Sequence, residues 1–378
     1  MSVRVYRDPV FLRHDPGPGH PENAARLEAT YTSLVRSPID GVETCAPRVA
    51  TAAEVERIHE FDLLERVMRT ADAPHVRLDG DTGTSPDSYE AAMKAAGATL
   101  QGVEAVVAGE TQGAFALVRP PGHHAEADRA MGFCLFNNVA IAAAHALHEG
   151  GLKRILVLDP DVHHGNGTQH AFWEHEEVLY VSSHRYPFFP GTGAADEIGA
   201  GPGHGYTVNL PLRPLGGDAD LLYLWAKLVD PIVREFRPEL ILVSAGFDTC
   251  QNDPLGGMRI TEAGFRALFG LFRQWADEYC PGRLVCTLEG GYDPAGVVVG
   301  FRSALDAMTA TSVPETWVSG EVSDAAIHVA RQVKRALHPH WRSLDICRPE
   351  PNRQPLRPFL LLSGGHHARR LHARRGAA

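Results

Sequence analysis

Histidines and aspartates with the types and spacing of a metal site occur in two dense groups, 123–124 and 159–164. Asp161 and His163 are two residues apart, so on an extended segment both side chains point to one face and can bind one divalent ion. Asp248, a third carboxylate, follows a separate apolar run. Two aspartates and one histidine leave a coordination position open for water and substrate, as catalytic zinc requires. One Asp-x-His alone is more typical of an ordinary loop, but four histidines in two pairs favour a catalytic metal site.

The pair His123 and His124 could transfer protons, because histidine titrates near neutral pH. Metal-activated water must lose a proton, and a leaving amine must gain one. A buried histidine needs a partner that fixes its tautomer, and Asp159 and Asn166 are natural candidates. Tyr292 follows two glycines and could donate its O–H to the oxyanion of a tetrahedral intermediate. Taken alone, however, Gly-Gly-Tyr-Asp is also typical of a plain turn.

Short apolar runs precede these polar residues and predict the elements that position them. Five runs are rich in β-branched residues and bounded by glycine, proline or polar clusters, which indicates buried strands. These runs are 114–118, 154–159, 178–183, 240–247 and 284–291. Segments with helical periodicity separate them, at 138–149, 219–236 and 261–279, the last with Thr261 as its N-cap. The alternation predicts an α/β fold with a mostly parallel sheet and helices on both faces. Ligands bind beyond the carboxyl ends of such strands, so the polar residues are expected to converge.

Composition sets broad limits on the function. The chain has 378 residues, of which 44% are hydrophobic, and its formal net charge is -10. An acidic protein of this kind is not expected to bind nucleic acid and would weakly attract cations, although a solubilising surface explains the charge equally well. Six cysteines without CxxC spacing fit reduced thiols. Without a signal-peptide pattern or an apolar run of about 18 residues, we expect a cytoplasmic protein that does not insert into membranes.

The chain resembles the zinc-dependent histone deacetylases, in particular the bacterial amidohydrolases related to their second class. The resemblance covers about residues 5–310 and rests on motifs that follow one another in order. These are His20-Pro-Glu-x-x-x-Arg26, Arg119-Pro-Pro-Gly-His-His124, Gly132-Phe-Cys-x-Phe-Asn-Asn138, Asp161-Val-His-His-Gly-Asn-Gly-Thr168, Phe188-Phe-Pro-Gly-Thr-Gly193, Ser244-Ala-Gly-Phe-Asp248, Asp253-Pro-Leu-Gly256 and Glu289-Gly-Gly-Tyr292. The resemblance implies the single-domain arginase/deacetylase fold, an eight-stranded parallel sheet flanked by helices. We expect residues 1–310 to form the catalytic domain and 311–378 a C-terminal extension with a basic tail.

The same resemblance implies a role for each site residue. It makes Asp161, His163 and Asp248 the zinc ligands. His124 would be the general base and acid, and Tyr292 would polarise the acetyl carbonyl. His123 would be the second catalytic histidine, with Asp159 and Asn166 as the respective partners of the pair. Substrate-binding positions are Phe133 and Phe189 as tunnel walls, Leu255 and Asp81 at the rim, and Gly132, Gly290 and Gly291. Structural potassium ions are implied around Asp159, Asp161, His163 and Ser182, and around Phe172, Val178 and Tyr206.

Two positions depart from the pattern of the relatives. Pro160 stands where relatives commonly carry tryptophan or another large apolar residue, which would alter local packing. Asn166 replaces the aspartate of first-class relatives, as is usual in the second class. A neutral partner cannot raise the pKa of His124 as a carboxylate would, so a shifted pH optimum is expected.

The expected activity is hydrolysis of the Nε-acetyl-lysine amide in proteins or peptides by metal-activated water, with acetylated lysine side chains or small acetylated amines as partners. An acetylpolyamine amidohydrolase would use the same residues and differ at the rim, where polyamine-selective relatives carry an acid and this chain has Leu255. A catalytically weak acetyl-lysine-binding module would carry histidine in place of Tyr292. A ureohydrolase would need two metals and more carboxylates. The sequence leaves the substrate protein, the acyl chain length and the oligomeric state open.

Overall fold

Ten strands occur in residues 2–311 and 320–344, the part of the chain that the computed structural model describes. The strands are β1 (Val3–Tyr6), β2 (Val42–Cys45), β3 (Val76–Arg77), β4 (Gly83–Thr84), β5 (Ala114–Ala116), β6 (Ile155–Asp159), β7 (Val178–Arg185), β8 (Thr207–Leu212), β9 (Leu240–Ala245) and β10 (Leu284–Leu288). Eight of them form one sheet in the order β2-β1-β5-β10-β9-β6-β7-β8, and β3 and β4 form a small antiparallel pair. Every neighbouring pair in the large sheet is parallel, which confirms the predicted fold class.

Helices form layers against this sheet. They are α1 (Val10–Arg13), α2 (Ala25–Arg36), α3 (Ala52–Val55), α4 (Phe61–Arg69), α5 (Ser88–Val107), α6 (Asn138–His148), α7 (Asn166–Ala171), α8 (Asp218–Leu224), α9 (Asp230–Phe236), α10 (Glu262–Tyr279), α11 (Pro294–Thr309) and α12 (Asp324–Leu337). Helices α5 and α6 pack together on strands of the sheet centre, while α2, α11, α10, α8 and α12 form a second row. The central strands β6, β9 and β10 are buried along their whole length, as expected of a parallel sheet covered on both faces.

All five predicted strands are present, but three of them end earlier than predicted. β5 ends at Ala116, β9 at Ala245 and β10 at Leu288, two or three residues before the ends of the apolar runs. The residues that follow leave the sheet to form the functional site described below. Strands β1, β2 and β8, which are short or lie at a sheet edge, were not predicted from the sequence. Pro211 within β8 weakens its strand pattern, although proline is tolerated in an edge strand.

The predicted helix over 219–236 is helical throughout but not regular. A π-helical segment, Trp225–Val229, separates α8 from α9. Pro231 follows directly and can donate no backbone hydrogen bond, so the wider turn accommodates it. The predicted N-cap of the next long helix is confirmed, because the Thr261 side chain accepts from the backbone N–H of Gly264.

Helix α12 lies beyond residue 310 and belongs to the packed structure. Val329, Ala330, Val333 and Leu337 are buried, and the helix contacts β8 and α8. The division of the chain at residue 310 therefore remains a prediction, and the basic tail lies outside the described residues. Across 2–311 and 320–344, no helix has both the length and the apolar character of a membrane span. The five cysteines in this part are free thiols.

Candidate functional site

Four adjacent strands at the centre of the sheet end beside one another, and each leads into one of the polar groups. The strands are β5, β10, β9 and β6. The histidine pair 123–124 follows β5, residues 289–292 follow β10, Asp248 follows β9, and residues 159–164 begin at the end of β6. Residues separated by up to 169 positions in the sequence, from 123 to 292, therefore lie at one edge of the sheet.

Asp161, His163 and Asp248 converge on a common point. The Nδ1 atom of His163 lies 3.2 Å from Asp161 Oδ1 and 3.2 Å from Asp248 Oδ2. One ligand atom from each residue lies within 4.8 Å of the others, and all three side chains are buried. Ligand atoms around a tetrahedral zinc, with bonds of about 2.0–2.1 Å, are about 3.3–3.4 Å apart. The donor types and the spacing of the three side chains therefore fit a small divalent cation.

Backbone amides hold the two carboxylates in this arrangement. Gly290 N–H donates to Asp161 Oδ2 over 2.8 Å, and Val162 N–H donates to Asp248 Oδ1 over 2.8 Å. A Cβ atom at position 290 would lie 2.1 Å from Asp248 Oδ2, so only glycine can bring its amide this close. One oxygen of Asp248 is thus fixed by the protein, while the other faces His163.

The three side chains have strongly altered pKa values. Burial, together with the charge of Asp161, raises the pKa of Asp248 to about 7. Burial also raises the pKa of Asp161, but His123 and His163 outweigh it and bring the pKa below its usual range. Burial lowers the pKa of His163, and hydrogen bonds to both aspartates raise it to about 9. Two buried carboxylates thus need positive charge beside them, which a divalent cation would supply.

The histidine pair lies next to this triad, and each ring has its own partner. His123 Nδ1–H donates to Asp159 Oδ2 over 3.1 Å, and His124 Nδ1–H donates to Asn166 Oδ1 over 2.8 Å. The two ring centroids are 4.0 Å apart. Tyr180 donates its O–H to the same oxygen of Asp159 over 3.0 Å, which fixes that carboxylate.

The environments of the two histidines shift their pKa values in opposite directions. Burial lowers the pKa of His123, but Asp159 and Asp161 outweigh it and raise the pKa to about 10. Burial lowers the pKa of His124, and the neighbouring charges of His123 and His163 lower it further, well below its usual range. One ring is therefore set to carry a charge and the other to stay neutral, so the two histidines of the pair differ in role.

Aromatic rings surround the pair and Tyr292. The Phe133 ring packs edge-on against Tyr292 at 5.8 Å between centroids, and Phe189 packs against His124 at 5.1 Å. Phe189 is 39% exposed, so its ring reaches the surface beside His124. Gly132 is required here, because a Cβ atom would lie 2.5 Å from the His124 ring. Two phenylalanines thus line the approach to the polar site.

The rim residues predicted from the resemblance lie beside these rings. Leu255 is half-buried. Its N–H donates to Oδ1 of Asp253, and Oδ2 of Asp253 accepts from the N–H of Tyr292 over 2.6 Å. Asp81 is exposed, and its carbonyl accepts from His20 over 2.9 Å. The next residue, Thr82, accepts from the backbone N–H of Phe133 over 3.1 Å. Both residues are therefore connected to the loops that carry Tyr292 and Phe133.

Arg26 and Glu22 belong to one of the motifs that carry the resemblance, but no role was predicted for either residue. The buried Arg26 guanidinium donates to the carbonyls of Glu289 and Gly291 and lies 5.0 Å from the Tyr292 ring centroid. Glu22, fully buried, pairs with Arg26 at 2.7 Å and with Arg119. This buried ion-pair cluster holds the loop that carries Tyr292. The seven-residue spacing His20-Pro-Glu-x-x-x-Arg26 was the available signal.

A second group with metal-ligand residue types has a different explanation. Glu54, Glu104 and His145 lie close together away from this site. Arg48 Nη2 lies 2.7 Å from Glu54 and 2.5 Å from Glu104, so its guanidinium already supplies the positive charge. We interpret this group as a salt-bridge network.

His164 serves as a control for His124. Its Nδ1 is 2.8 Å from Thr192 Oγ1 and its Nε2 is 2.9 Å from Gln169 Oε1, so both ring nitrogens are used in local structure. We expect His124→Ala to reduce kcat by about 10²–10⁴-fold, the usual contribution of a general acid or base. His164→Ala is expected to lower the melting temperature instead and to reduce kcat much less. Steady-state kinetics and thermal melts on both variants test this, and equal kinetic losses at equal stability would contradict it.

The central strands of this parallel α/β sheet bring together, at their carboxyl ends, a carboxylate–histidine triad, a histidine pair and a tyrosine. This arrangement defines a hydrolase with a candidate metal centre. Residues 20–308 match the family described as Histone deacetylase domain. The chain belongs to the histone deacetylase family, whose members are generally metal-dependent.

Individual relatives agree with this assignment. A probable deacetylase of Archaeoglobus fulgidus is 34% identical, over 88% of this chain and 96% of that protein. A histone deacetylase-like amidohydrolase of Pseudomonas aeruginosa is 41% identical over 66% of each chain. The crystal structure of the HDA15 HD domain superposes with a TM-score of 0.85 at 35% identity, covering 91% of this chain and 98% of that one. Several fungal and plant relatives are longer, and the chain spans 42% to 57% of their length.

Proposed function

We propose that the protein is a zinc-dependent deacetylase that hydrolyses the amide of Nε-acetyl-lysine in proteins or peptides. The observation that carries the proposal is the convergence of three ligand side chains, two histidines of opposite pKa shift and Tyr292 beside a phenylalanine-lined entrance. Hydrolysis of an amide needs an activated water, a base, an acid and an oxyanion donor, and each has a candidate here.

The residues divide these tasks as follows. Asp161, His163 and Asp248 would hold zinc, which when bound supplies a Lewis acid and lowers the pKa of a coordinated water. His124, neutral and hydrogen-bonded through Nδ1, presents Nε2 as the base that accepts a proton from water. The same nitrogen then returns the proton to the leaving amine. His123, charged beside Asp159, adds positive charge where negative charge develops.

Tyr292 would donate its O–H to the carbonyl oxygen of the substrate. Burial raises the pKa of its hydroxyl well above the usual range, so the group stays protonated at neutral pH. Arg26 beneath the ring and Asp253 at the backbone N–H keep the tyrosine in place. A preorganised donor of this kind stabilises the oxyanion without reorganising during the reaction.

Phe133 and Phe189 would pack against the four methylenes of the lysine side chain. Such an apolar stem is well matched to aromatic walls, while the polar amide reaches the histidine pair. Asp81 at the rim would accept hydrogen bonds from the peptide backbone of the substrate.

Hydrolysis of an acetylated peptide tests the proposed activity directly. The purified protein, loaded with zinc, is expected to release acetate and a free lysine ε-amine from an acetyl-lysine peptide, as measured by mass spectrometry. The Asp248→Asn variant, prepared in parallel, controls for contaminating hydrolases. Equal rates from both preparations, or release from neither, would refute the proposal.

A second candidate, acetylpolyamine hydrolysis, uses the same residues and differs at the rim. Leu255 offers no charge to a distant ammonium, and partial burial of an ammonium without a partner is costly. The acidic charge of the protein attracts polyamines weakly, so we expect only a modest preference for peptides. A third candidate, a binding module that lacks catalysis, is disfavoured by the presence of Tyr292.

Substrate choice can be tested at Leu255. We expect kcat/KM to favour an acetyl-lysine peptide over acetylspermidine, and Leu255→Glu to shift the ratio toward the polyamine by up to about fivefold, the worth of up to about 1 kcal/mol for one exposed charge pair. Both substrates are assayed side by side on both proteins, with Leu255→Gln as the uncharged control. A native preference for acetylspermidine would overturn the lysine assignment and leave the zinc amidohydrolase assignment standing.

The potassium ions, the cytoplasmic location and the form of the C-terminal extension remain predictions. Potassium would be held by carbonyl oxygens near the end of β6 and by Ser182, beside the zinc ligands. An oligomer is compatible with the sequence.

A further inference from the structure

We infer that Glu126 is a positioning residue, which fixes the orientation of the Asn166 amide and thereby the ring nitrogen of His124 that carries the proton. The kinetic part of this inference rests on the proposed function, whereas its structural part does not. No role for Glu126 was predicted from the sequence, and the residue lies two positions after His124 on the loop that follows β5.

The three side chains form a chain of hydrogen bonds that leads outward from the site. His124 Nδ1 is 2.8 Å from Asn166 Oδ1, and Asn166 Nδ2 donates to Glu126 Oε1 over 2.5 Å. All three residues are buried, with exposed fractions of 3%, 2% and 6%. Because the Asn166 side chain is buried, both ends of its amide depend on hydrogen-bond partners within the protein.

Two acceptors set which way round the amide lies: Glu126 Oε1, and the backbone carbonyl of His124, to which Asn166 Nδ2 also donates over a longer 3.3 Å. The shorter contact, to the charged group, is with Glu126. An ionised carboxylate only accepts hydrogen bonds, so the atom of Asn166 that faces it must be the NH₂ group. The oxygen of the amide must then face His124, whose Nδ1 must carry the proton. The remaining ring nitrogen, Nε2, is left with a free lone pair. A base that accepts a proton from water needs this tautomer.

The surroundings keep Glu126 ionised, which the orientation of the amide requires. His170 Nδ1 lies 2.8 Å from Glu126 Oε2, and Arg129 Nη2 lies 3.8 Å from Oε1. Burial raises the pKa of Glu126, but the hydrogen bonds from His170 and Asn166 outweigh it and lower the pKa. The backbone carbonyl of Glu126 accepts from His59 Nδ1 over 2.8 Å, which anchors the loop. The Asn166 amide therefore lies between the His124 ring and the Glu126 carboxylate. The resemblance implies a carboxylate at position 166 in first-class relatives, whereas here the negative charge lies one residue farther from His124.

Exchanging the amide and the carboxylate between positions 166 and 126 distinguishes this positioning role of Glu126 from a role in packing alone. In Asn166→Asp, two carboxylates face each other across a hydrogen-bond distance, and kcat is expected to fall. Adding Glu126→Gln turns the outer group into an amide that can donate to the carboxylate introduced at position 166. We then expect kcat to recover by about tenfold, the worth of one buried hydrogen bond to a charge. In the native Asn166 background, Glu126→Gln is expected to lower kcat, because an amide at position 126 can donate as well as accept and no longer fixes the orientation of Asn166. If Glu126→Gln changes kcat by the same factor in both backgrounds, the inference is wrong.

Loss of the acceptor is tested with Glu126→Leu, which keeps the approximate size of the side chain. We expect kcat to fall about 10–100-fold, the usual cost of removing a group that orients a metal-site residue. KM is expected to change by less than about threefold, because substrate binding is not involved. A loss confined to KM would overturn the positioning role. Thermal melts identify variants that fail to fold, and the exchange pair then decides the question.

A measurement without substrate keeps the inference separate from the proposed function. In the zinc-loaded protein labelled with ¹⁵N-histidine, the His124 signals are those that disappear in His124→Gln. We expect the proton on Nδ1 in the native protein and a mixture of tautomers in Glu126→Leu. An unchanged tautomer in Glu126→Leu would overturn the inference even if the enzyme is active. The expected tautomer change in a protein that leaves acetyl-lysine peptides intact would support the inference and refute the proposed substrate.

Discussion

Asp248→Asn is expected to lose zinc and to reduce activity on an acetyl-lysine peptide by at least about 10³-fold. Asparagine keeps the shape of the side chain but removes the charge of one ligand. The two ligands that remain, the Asp161 carboxylate and the neutral His163 imidazole, rarely retain zinc against a chelator. Loss of the ion removes several kcal/mol of transition-state stabilisation, and each increment of about 1.4 kcal/mol is a factor of ten in rate. Metal analysis after dialysis against a chelator measures the first effect, and steady-state kinetics measures the second.

Asp159→Asn is the matched control for this prediction. Asp159 and Asp248 are both fully buried at the carboxyl ends of adjacent strands, yet only Asp248 belongs to the triad. We expect Asp159→Asn to retain one zinc per chain and to lose activity through His123. Full zinc occupancy in Asp248→Asn would contradict the ligand assignment, as would equal zinc loss in both variants.

Tyr292→Phe is expected to fold and to bind zinc normally while losing about 10²–10³-fold in kcat, or about 3–4 kcal/mol. The substitution removes one O–H and retains the ring that packs against Phe133 and lies over Arg26. Because the hydroxyl stabilises the developing oxyanion much more than the substrate carbonyl of the ground state, KM should change little. Steady-state kinetics and metal analysis test both parts.

Tyr180→Phe provides the comparison, since it also removes a buried hydroxyl close to the histidine pair. The oxygen of that hydroxyl lies 3.0 Å from Asp159 Oδ2 and 3.1 Å from the carbonyl oxygen of Gly165, so its one proton has two acceptors within the protein. Loss of one such hydrogen bond costs about 1 kcal/mol, or about fivefold. Similar kinetic losses in the two variants would show that Tyr292 acts only through local structure.

Most of the site could be predicted from the sequence because its residues follow directly after apolar runs. A run such as 154–159 predicts a strand, and the rule that ligands bind at carboxyl ends then brings Asp161 together with Asp248. Spacing alone also paired Asp161 with His163, since side chains two residues apart on an extended segment point to the same face. The roles of Phe133, Phe189 and Leu255 came only from the resemblance, because tunnel walls have no periodicity of their own.

The parts that escaped prediction depend on contacts between distant segments. Arg26 reaches the carbonyls of residues 289 and 291, more than 260 positions away, and no local pattern announces such a contact. The sequence pattern does not distinguish Glu126 from any other glutamate in a loop, because its contact with the Asn166 side chain exists only in the folded structure. Strand β2 is only four residues long and partly exposed, so its signal is weak. Helix α12 was missed because the alternation of strands and helices stops before it.

The strand order has a consequence for how the polypeptide acquires its structure during synthesis. Strand β10 is made last, yet it lies in the middle of the sheet, between β5 and β9. A ribosome-bound chain that ends at residue 283 therefore has two unsatisfied strand edges facing one gap, a state prone to wrong pairing. Insertion of β10 closes that gap and, in the same event, delivers Gly290 to the carboxylate of Asp161 and Tyr292 to the histidine pair. Closure of the sheet and completion of the candidate site therefore depend on the same segment, so we expect chains that end before residue 284 to be inactive.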